Sequence, residues 1–150
     1  DTDAMLLVRE TPIEARDTTG TLTERLAQLG AQAIVASLDG LDALVPTPQD
    51  ASQATYAGKV RKDEARLDWS DDCQVLDRRV RAFNPAPGAE ARLAGEALKV
   101  WEAHPVPEAS GMPGEILPSG EGDLVVAWGR GRAVVAYQRY LNQLRERGNP

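Results

Sequence analysis

Apolar residues recur along this chain at two different spacings, and the change between them divides it. A short apolar run, Met5 to Val8, lies between polar "DTDA" and "RETPI" and predicts a strand ending near Pro12. Leu22, Leu26, Leu29, Ile34, Leu38 and Leu41 then recur close to the 3.6-residue period of a helix. Thr19 or Thr21 is the expected cap, with Glu24 three residues after Thr21 as in a capping box. Gly30 marks an expected kink and Gly40 a loosened end. "VPTPQDASQAT", residues 45 to 55, has two prolines and no period, and reads as a linker.

Beyond it, "SDDCQVLDRRVRAF" predicts a helix. Ser70 is the expected N-cap, Asp71 and Asp72 suit the positive end of the dipole, and Arg78, Arg79 and Arg81 suit the negative end. Val75, Leu76, Val80 and Phe83 form its predicted apolar face, and Asn84-Pro85-Ala86-Pro87-Gly88 stops it. After Gly88 the period shortens to two. Ala91 and Leu93, a turn at Gly95, then Leu98, Val100 and Ala103 predict a hairpin. Three more short strands follow in 114 to 140, with turns at 119 to 122 and 129 to 131. Several short strands with glycine turns suggest a small barrel, with an OB-like barrel as one candidate. "YLNQLRERGNP" reads either as a short basic helix or as a frayed end.

Composition supports a packed chain: 42% of the 150 residues are hydrophobic and 27% charged, so wholesale disorder is excluded. Aromatics are only 5%, which leaves Leu, Val and Ala to build the core. The net charge of −6 is uneven. Residues 1 to 50 hold nine acids and three bases, residues 51 to 150 hold fourteen of each, and the segment from Gly129 holds five arginines against Glu146. The overall acidity therefore hides a second half able to carry a basic face. No apolar run reaches the ~18 residues of a membrane span, and no signal peptide is visible. The chain starts at Asp1 inside patterned sequence and reads as a fragment.

Chemistry is sparse. The single cysteine, Cys73, allows no internal disulfide and fits a reducing compartment. Asp71 and Asp72 beside it disfavour a thiolate, so it reads as structural. His104 is the one histidine, and with one cysteine no protein-built zinc site is expected. There is no P-loop, dinucleotide fingerprint or nucleophile elbow. Trp69, Trp101 and Trp128 have packing as their default role, although alternation puts Trp101 on the side of Lys99, away from Val100. Lys59, Arg61, Lys62 and Arg66, then Arg78, Arg79 and Arg81, then Arg92 and Lys99 are the basic positions. Two readings stay open for them: a convergent track for a phosphate backbone, or pairing with local acids such as Asp63 and Glu64.

Three motifs in order, "TYAGKVRKDEARLDW", "RAFNPAPGA" and "GEALKVWEA", resemble the C-terminal domain of the methionyl-tRNA formyltransferase family. "DTDAMLL" and "DTTGTLTERLAQLG" look like the end of that family's catalytic domain, so the resemblance covers residues 1 to about 128. It implies an α/β fragment, residues 1–44, that is the tail of a Rossmann-like formyltransferase domain. A linker, 45–55, joins it to a small, mainly β, OB-like domain, 56–150, which has one preceding helix; that domain helps hold tRNA. It further implies transfer of a formyl group from 10-formyltetrahydrofolate to methionyl-initiator tRNA by a monomeric, cytoplasmic enzyme with no membrane partner and no metal.

Asp1 would be the catalytic aspartate and, with Thr2, would lie by the folate donor; Asp3 stands where the family has Gly. The family's catalytic Asn and His precede this position, so the chain alone is expected to be inactive. Lys59, Lys62, Arg66, Arg81 and Lys99 match basic motif positions and are the candidate tRNA contacts. After Gly131 the sequence departs from the family pattern. A folate-dependent sugar-nucleotide formyltransferase and a non-catalytic RNA-binding module are the alternatives.

Overall fold

The computed structural model describes residues 3–93, 95–106, 111–118, 124–129 and 132–136, and the chain divides into two compact units, Asp1–Val60 and Arg61–Pro150. The predicted linker, 45–55, lies within the first of these units.

The first unit is one long helix and its tethers. Helix α1 runs Thr19–Asp39. Its N-cap is Thr18, not Thr19 or Thr21. The Thr21 N–H donates to Thr18 Oγ1 at 3.2 Å, and the Thr18 N–H donates to Thr21 Oγ1 at 3.0 Å. Thr21 thus fills the reciprocal role expected of Glu24, which requires only an acceptor oxygen three residues into the helix. Asp17 secures the entry from outside: it accepts the Glu14 N–H at 2.7 Å and both Arg25 guanidinium nitrogens, at 2.6 and 2.9 Å. The helix continues through Gly30, and Gly40 caps its end by donating to the Ala36 carbonyl. The strand expected at Met5 to Val8 reduces to a single antiparallel bridge, Met5 with Thr47, closed by two 2.8 Å hydrogen bonds. A strand needs neighbours with which to extend its ladder, and among the described residues this bridge is all that forms. Residues 45–55 hold that bridge and a 3₁₀ turn, Ala51–Gln53, capped by Asp50.

The second unit carries a core. A 3₁₀ turn, Lys62–Ala65, leads into an extended segment that joins β1 in parallel through Arg66 and Glu90, where the Leu67 N–H donates to the Glu90 carbonyl at 2.7 Å. Helix α2 spans Cys73–Ala82 and is capped by Asp72, whose Oδ1 accepts the Gln74 N–H at 2.8 Å. Ser70, the expected cap, is instead bound by its N–H and hydroxyl to Asp68 Oδ1. Asp71 and Asp72 therefore precede the first turn. Cys73, Leu76 and Val80 face inward with Asp77, while Val75, expected on the apolar face, is exposed. With the start shifted by two residues, the inward positions follow the spacing of 73, 76, 77 and 80.

Strands β1 (Ala89–Leu93) and β2 (Glu96–Val100) form the expected hairpin, with Ala91 opposite Leu98. Ala103 does not extend it. It opens β3 (Ala103–Val106), which pairs with β6 (Arg132–Ala136). With β4 (Ile116–Leu117) and β5 (Leu124–Trp128), these make a second antiparallel sheet in the order β3-β6-β5-β4. Pro105 is tolerated because β3 is an edge. Among the described residues the two sheets are not closed into a barrel. The expected turn at 119–122 and the terminal segment lie outside the described residues, except that Gly129 of the last turn is described.

One cluster joins both sheets and α2: Leu67, Leu76, Val80, Ala89, Leu93, Val100, Val126 and Trp128 among others. Trp69 tilts on Trp128 with ring centroids 5.2 Å apart, and its indole N–H donates to the Arg92 carbonyl at 2.6 Å. Gly129 takes φ +48°, and a side chain there would collide with the Asp71 carbonyl.

Candidate nucleic-acid interface

Asp1 and Thr2, the residues tied by resemblance to catalysis and the folate donor, lie outside the described residues. The described residues hold no group of His, Cys, Asp and Glu able to bind a metal. Cys73 is buried at the start of α2, and His104 is exposed with its Nε2 at 3.1 Å from Glu102. The chemistry on view is that of the cations, and they differ in what they already hold.

Arg81 and Lys99 are engaged in the fold. The Arg81 Nε donates to Asp77 at 3.2 Å in a largely buried i,i+4 pair, on the inward side of α2. Lys99 Nζ donates to the Pro87 and Gly88 carbonyls, at 3.2 and 3.1 Å, and lies 3.5 Å from Glu90. It clamps the proline-rich turn to β2. Gly88 there has φ +79°, and a Cβ would meet the Trp101 ring at 3.0 Å. Trp101 lies just past β2, on the Lys99 side as alternation predicts, and its carbonyl accepts from Asn84 Nδ2 at 2.6 Å.

Lys59 and Lys62 are exposed, with no hydrogen bond or ion pair to their side chains among the described residues. They fall in different units. The acids expected to oppose Lys62 and Arg66 serve Arg61 instead: Asp63 takes its guanidinium at 2.6 and 3.0 Å, and Glu64 takes its N–H at 3.4 Å.

Arg66 is held by its backbone. Its N–H donates to Asp63, its carbonyl accepts from Arg79 Nη1 at 3.2 Å, and it faces Glu90 across the parallel bridge. Alternation turns Leu67 into the core, and Arg66 and Asp68 outward. On β1 the same alternation buries Ala89, Ala91 and Leu93 and turns Glu90 and Arg92 outward. The two segments border a groove of about 410 Å³, lined by Arg66, Asp68, Trp69, Glu90 and Arg92 among others. Neither of its acids forms an ion pair with an arginine of the groove among the described residues. Asp68 is held by Ser70, whose hydroxyl and N–H lower its pKa, and Glu90 is drawn to Lys99. Both guanidiniums make no hydrogen bond or ion pair among the described residues. Arg92 is one of the basic positions of the sequence but is not among the candidate tRNA contacts. Its relation to Arg66 depends on a parallel pairing between segments 24 residues apart, which no local period reveals.

A helix-braced pair of antiparallel sheets with outward cations is the class of domain these features define. The family model described as "Formyl transferase, C-terminal domain" matches residues 59–141, and the chain belongs to this family. It is 47% identical over 137 residues to a methionyl-tRNA formyltransferase of Thiobacillus denitrificans, covering 90% of this chain and 44% of the relative. It is 50% identical over 145 residues to one of Chromohalobacter salexigens, covering 93% and 45%. The chain thus spans less than half the length of these curated relatives. Among solved structures, a HypX variant from Aquifex aeolicus shares the fold with a TM-score of 0.73 at 22% identity, over 90% of this chain and 25% of that one. HypX in complex with tetrahydrofolic acid superposes with a TM-score of 0.68 at 23% identity, over 88% of this chain and 24% of that one.

Proposed function

We propose that this chain is the C-terminal part of a methionyl-tRNA formyltransferase, acting in the cytoplasm on methionyl-initiator tRNA with 10-formyltetrahydrofolate as donor. The observation that carries this reading is the identity of 47% and 50% to relatives of that name, over nine-tenths or more of the chain. In this reading the second unit is an OB-like barrel that binds RNA. Two antiparallel sheets around one core support that assignment. Lys59, Lys62 and Arg66 meet RNA phosphates directly, since their side chains hold no partner among the described residues. Arg81 and Lys99, the other candidates, act chiefly by shaping the surface, because their charges are already engaged.

Formyl transfer requires that the attacking amine lose a proton, that the tetrahedral oxyanion find donors, and that the departing folate nitrogen gain a proton. Asp1 fits the proton-handling role, with the donor bound mainly by sequence preceding it. No described residue supplies the rest of that chemistry.

The test is formylation of methionyl-initiator tRNA by the protein carrying this chain together with its preceding sequence. Transfer to the tRNA supports the reading. Transfer to an amino sugar nucleotide instead favours the sugar branch, and RNA binding without transfer favours a non-catalytic module. The 150 residues alone are expected to bind without transferring.

A further inference from the structure

We infer that Arg66 and Arg92 together form a seat for a single phosphodiester of an RNA backbone, in the groove between the 66–69 segment and β1. The inference rests on the reading of this chain as part of a tRNA-binding enzyme, and adds to it a named contact and its stoichiometry.

Three observations converge on it. Parallel pairing at Arg66 and Glu90 puts two outward-facing rows side by side, so guanidiniums from separate segments border one groove of about 410 Å³. The acids sharing those rows could pair with the arginines across the strands. Among the described residues neither does. Asp68 is bound to the N–H and hydroxyl of Ser70 at 2.9 and 2.7 Å, and Glu90 lies 3.5 Å from the Lys99 ammonium. Finally, the backbone of Arg66 is held at its N–H and its carbonyl, and the Arg92 carbonyl is held by the Trp69 indole at 2.6 Å. Both arginines are therefore presented from fixed main chain, with their donors unused among the described residues. Two guanidinium forks are matched to the oxygens of one phosphate better than to a stacked base. Trp69 is not available for stacking, since its ring is packed on Trp128 and against Gly114.

The experiment is a double-mutant cycle on initiator-tRNA binding by the full chain, over a range of salt, with Arg66→Ala, Arg92→Ala and the pair. Exposed Arg78 on α2, which does not line the groove, serves as a control as Arg78→Ala. Circular dichroism of each variant confirms the fold, and Arg66→Lys with Arg92→Lys preserves charge should either alanine perturb it. The double variant is expected to lose about tenfold in affinity near ~0.1 M salt, with the salt slope falling by about one, because one phosphate contact is lost. The two single losses should not add. Additive losses with a slope change of about two would mean two separate phosphates and overturn the single seat. Unchanged affinity in the double variant, with the wild-type chain still binding tRNA in a salt-dependent way, would overturn the seat and leave the wider reading intact. A wild-type chain that does not bind tRNA would remove both.

Discussion

The two helices of this molecule differ in what this chain packs against them. Helix α1 is about twice as long as α2, 21 residues against 10, yet the residue it buries is Ser37, while Leu26, Ile34, Val35 and Leu38 are exposed. Helix α2 buries Cys73, Leu76 and Val80 against two sheets. Within this chain, which spans less than half the length of its relatives, α1 is tied by polar contacts at its entry and α2 by apolar burial. Regular apolar spacing is thus a statement of what a helix can cover, and becomes stability only where a partner surface lies against it.

The contrast is broken or sharpened most strongly by core deletions. Leu76→Ala or Trp128→Ala should cost roughly 3–5 kcal/mol in chemical unfolding of the second unit, from lost transfer energy and the cavity left behind. Leu38→Ala on α1, at 64% exposure, should cost less than about 1 kcal/mol. Comparable losses at both sites would end the distinction. Next in size are the turns of the second unit. Gly129→Ala or Gly88→Ala forces a side chain at positive φ into the Asp71 carbonyl or the Trp101 ring, and should lower stability by about 1–3 kcal/mol in thermal melts. The α2 cap comes next. Asp72→Ala should cost about 1 kcal/mol, and more than Ser70→Ala if the cap is where the hydrogen bonds put it.

The smallest effect separates the units by pH. Asp17 is lowered from 3.8 to about 2, first by its hydrogen bonds from Arg25, then by the Glu14 N–H. A carboxyl depressed in the folded state contributes stability above its ordinary pKa, and that contribution is lost as pH falls from about 4 towards 2. Helicity of α1 should therefore weaken across that window in the wild type. In Asp17→Asn the weakening due to this group should be absent, which circular dichroism difference titrations would show.

Much of the second unit was legible in sequence because its signals are local. The hairpin with Ala91 opposite Leu98 and its turn at Gly95 follows from period two and a glycine, and the stop after Phe83 follows from the prolines. The errors arose where neighbouring side chains compete for the same role. Thr18 outbids Thr19 and Thr21 because Thr21 returns its hydrogen bond, and Asp72 replaces Ser70 because Asp68 has captured that serine. Among the described residues the Met5–Val8 segment forms one bridge and no ladder. At the candidate site, sequence identified which residues are cationic. It could not separate Arg81 and Lys99, engaged with Asp77 and Glu90, from Lys62 and Arg66, because that depends on tertiary partners.

The central claim is that the chain presents unspent cations to an RNA backbone. Its most direct test is the affinity of the chain for initiator tRNA as a function of salt. Three direct contacts, Lys59, Lys62 and Arg66, predict that log K falls linearly with log salt with a slope of about −2 to −3. Affinity that does not change with salt, or no binding at low salt, would contradict it.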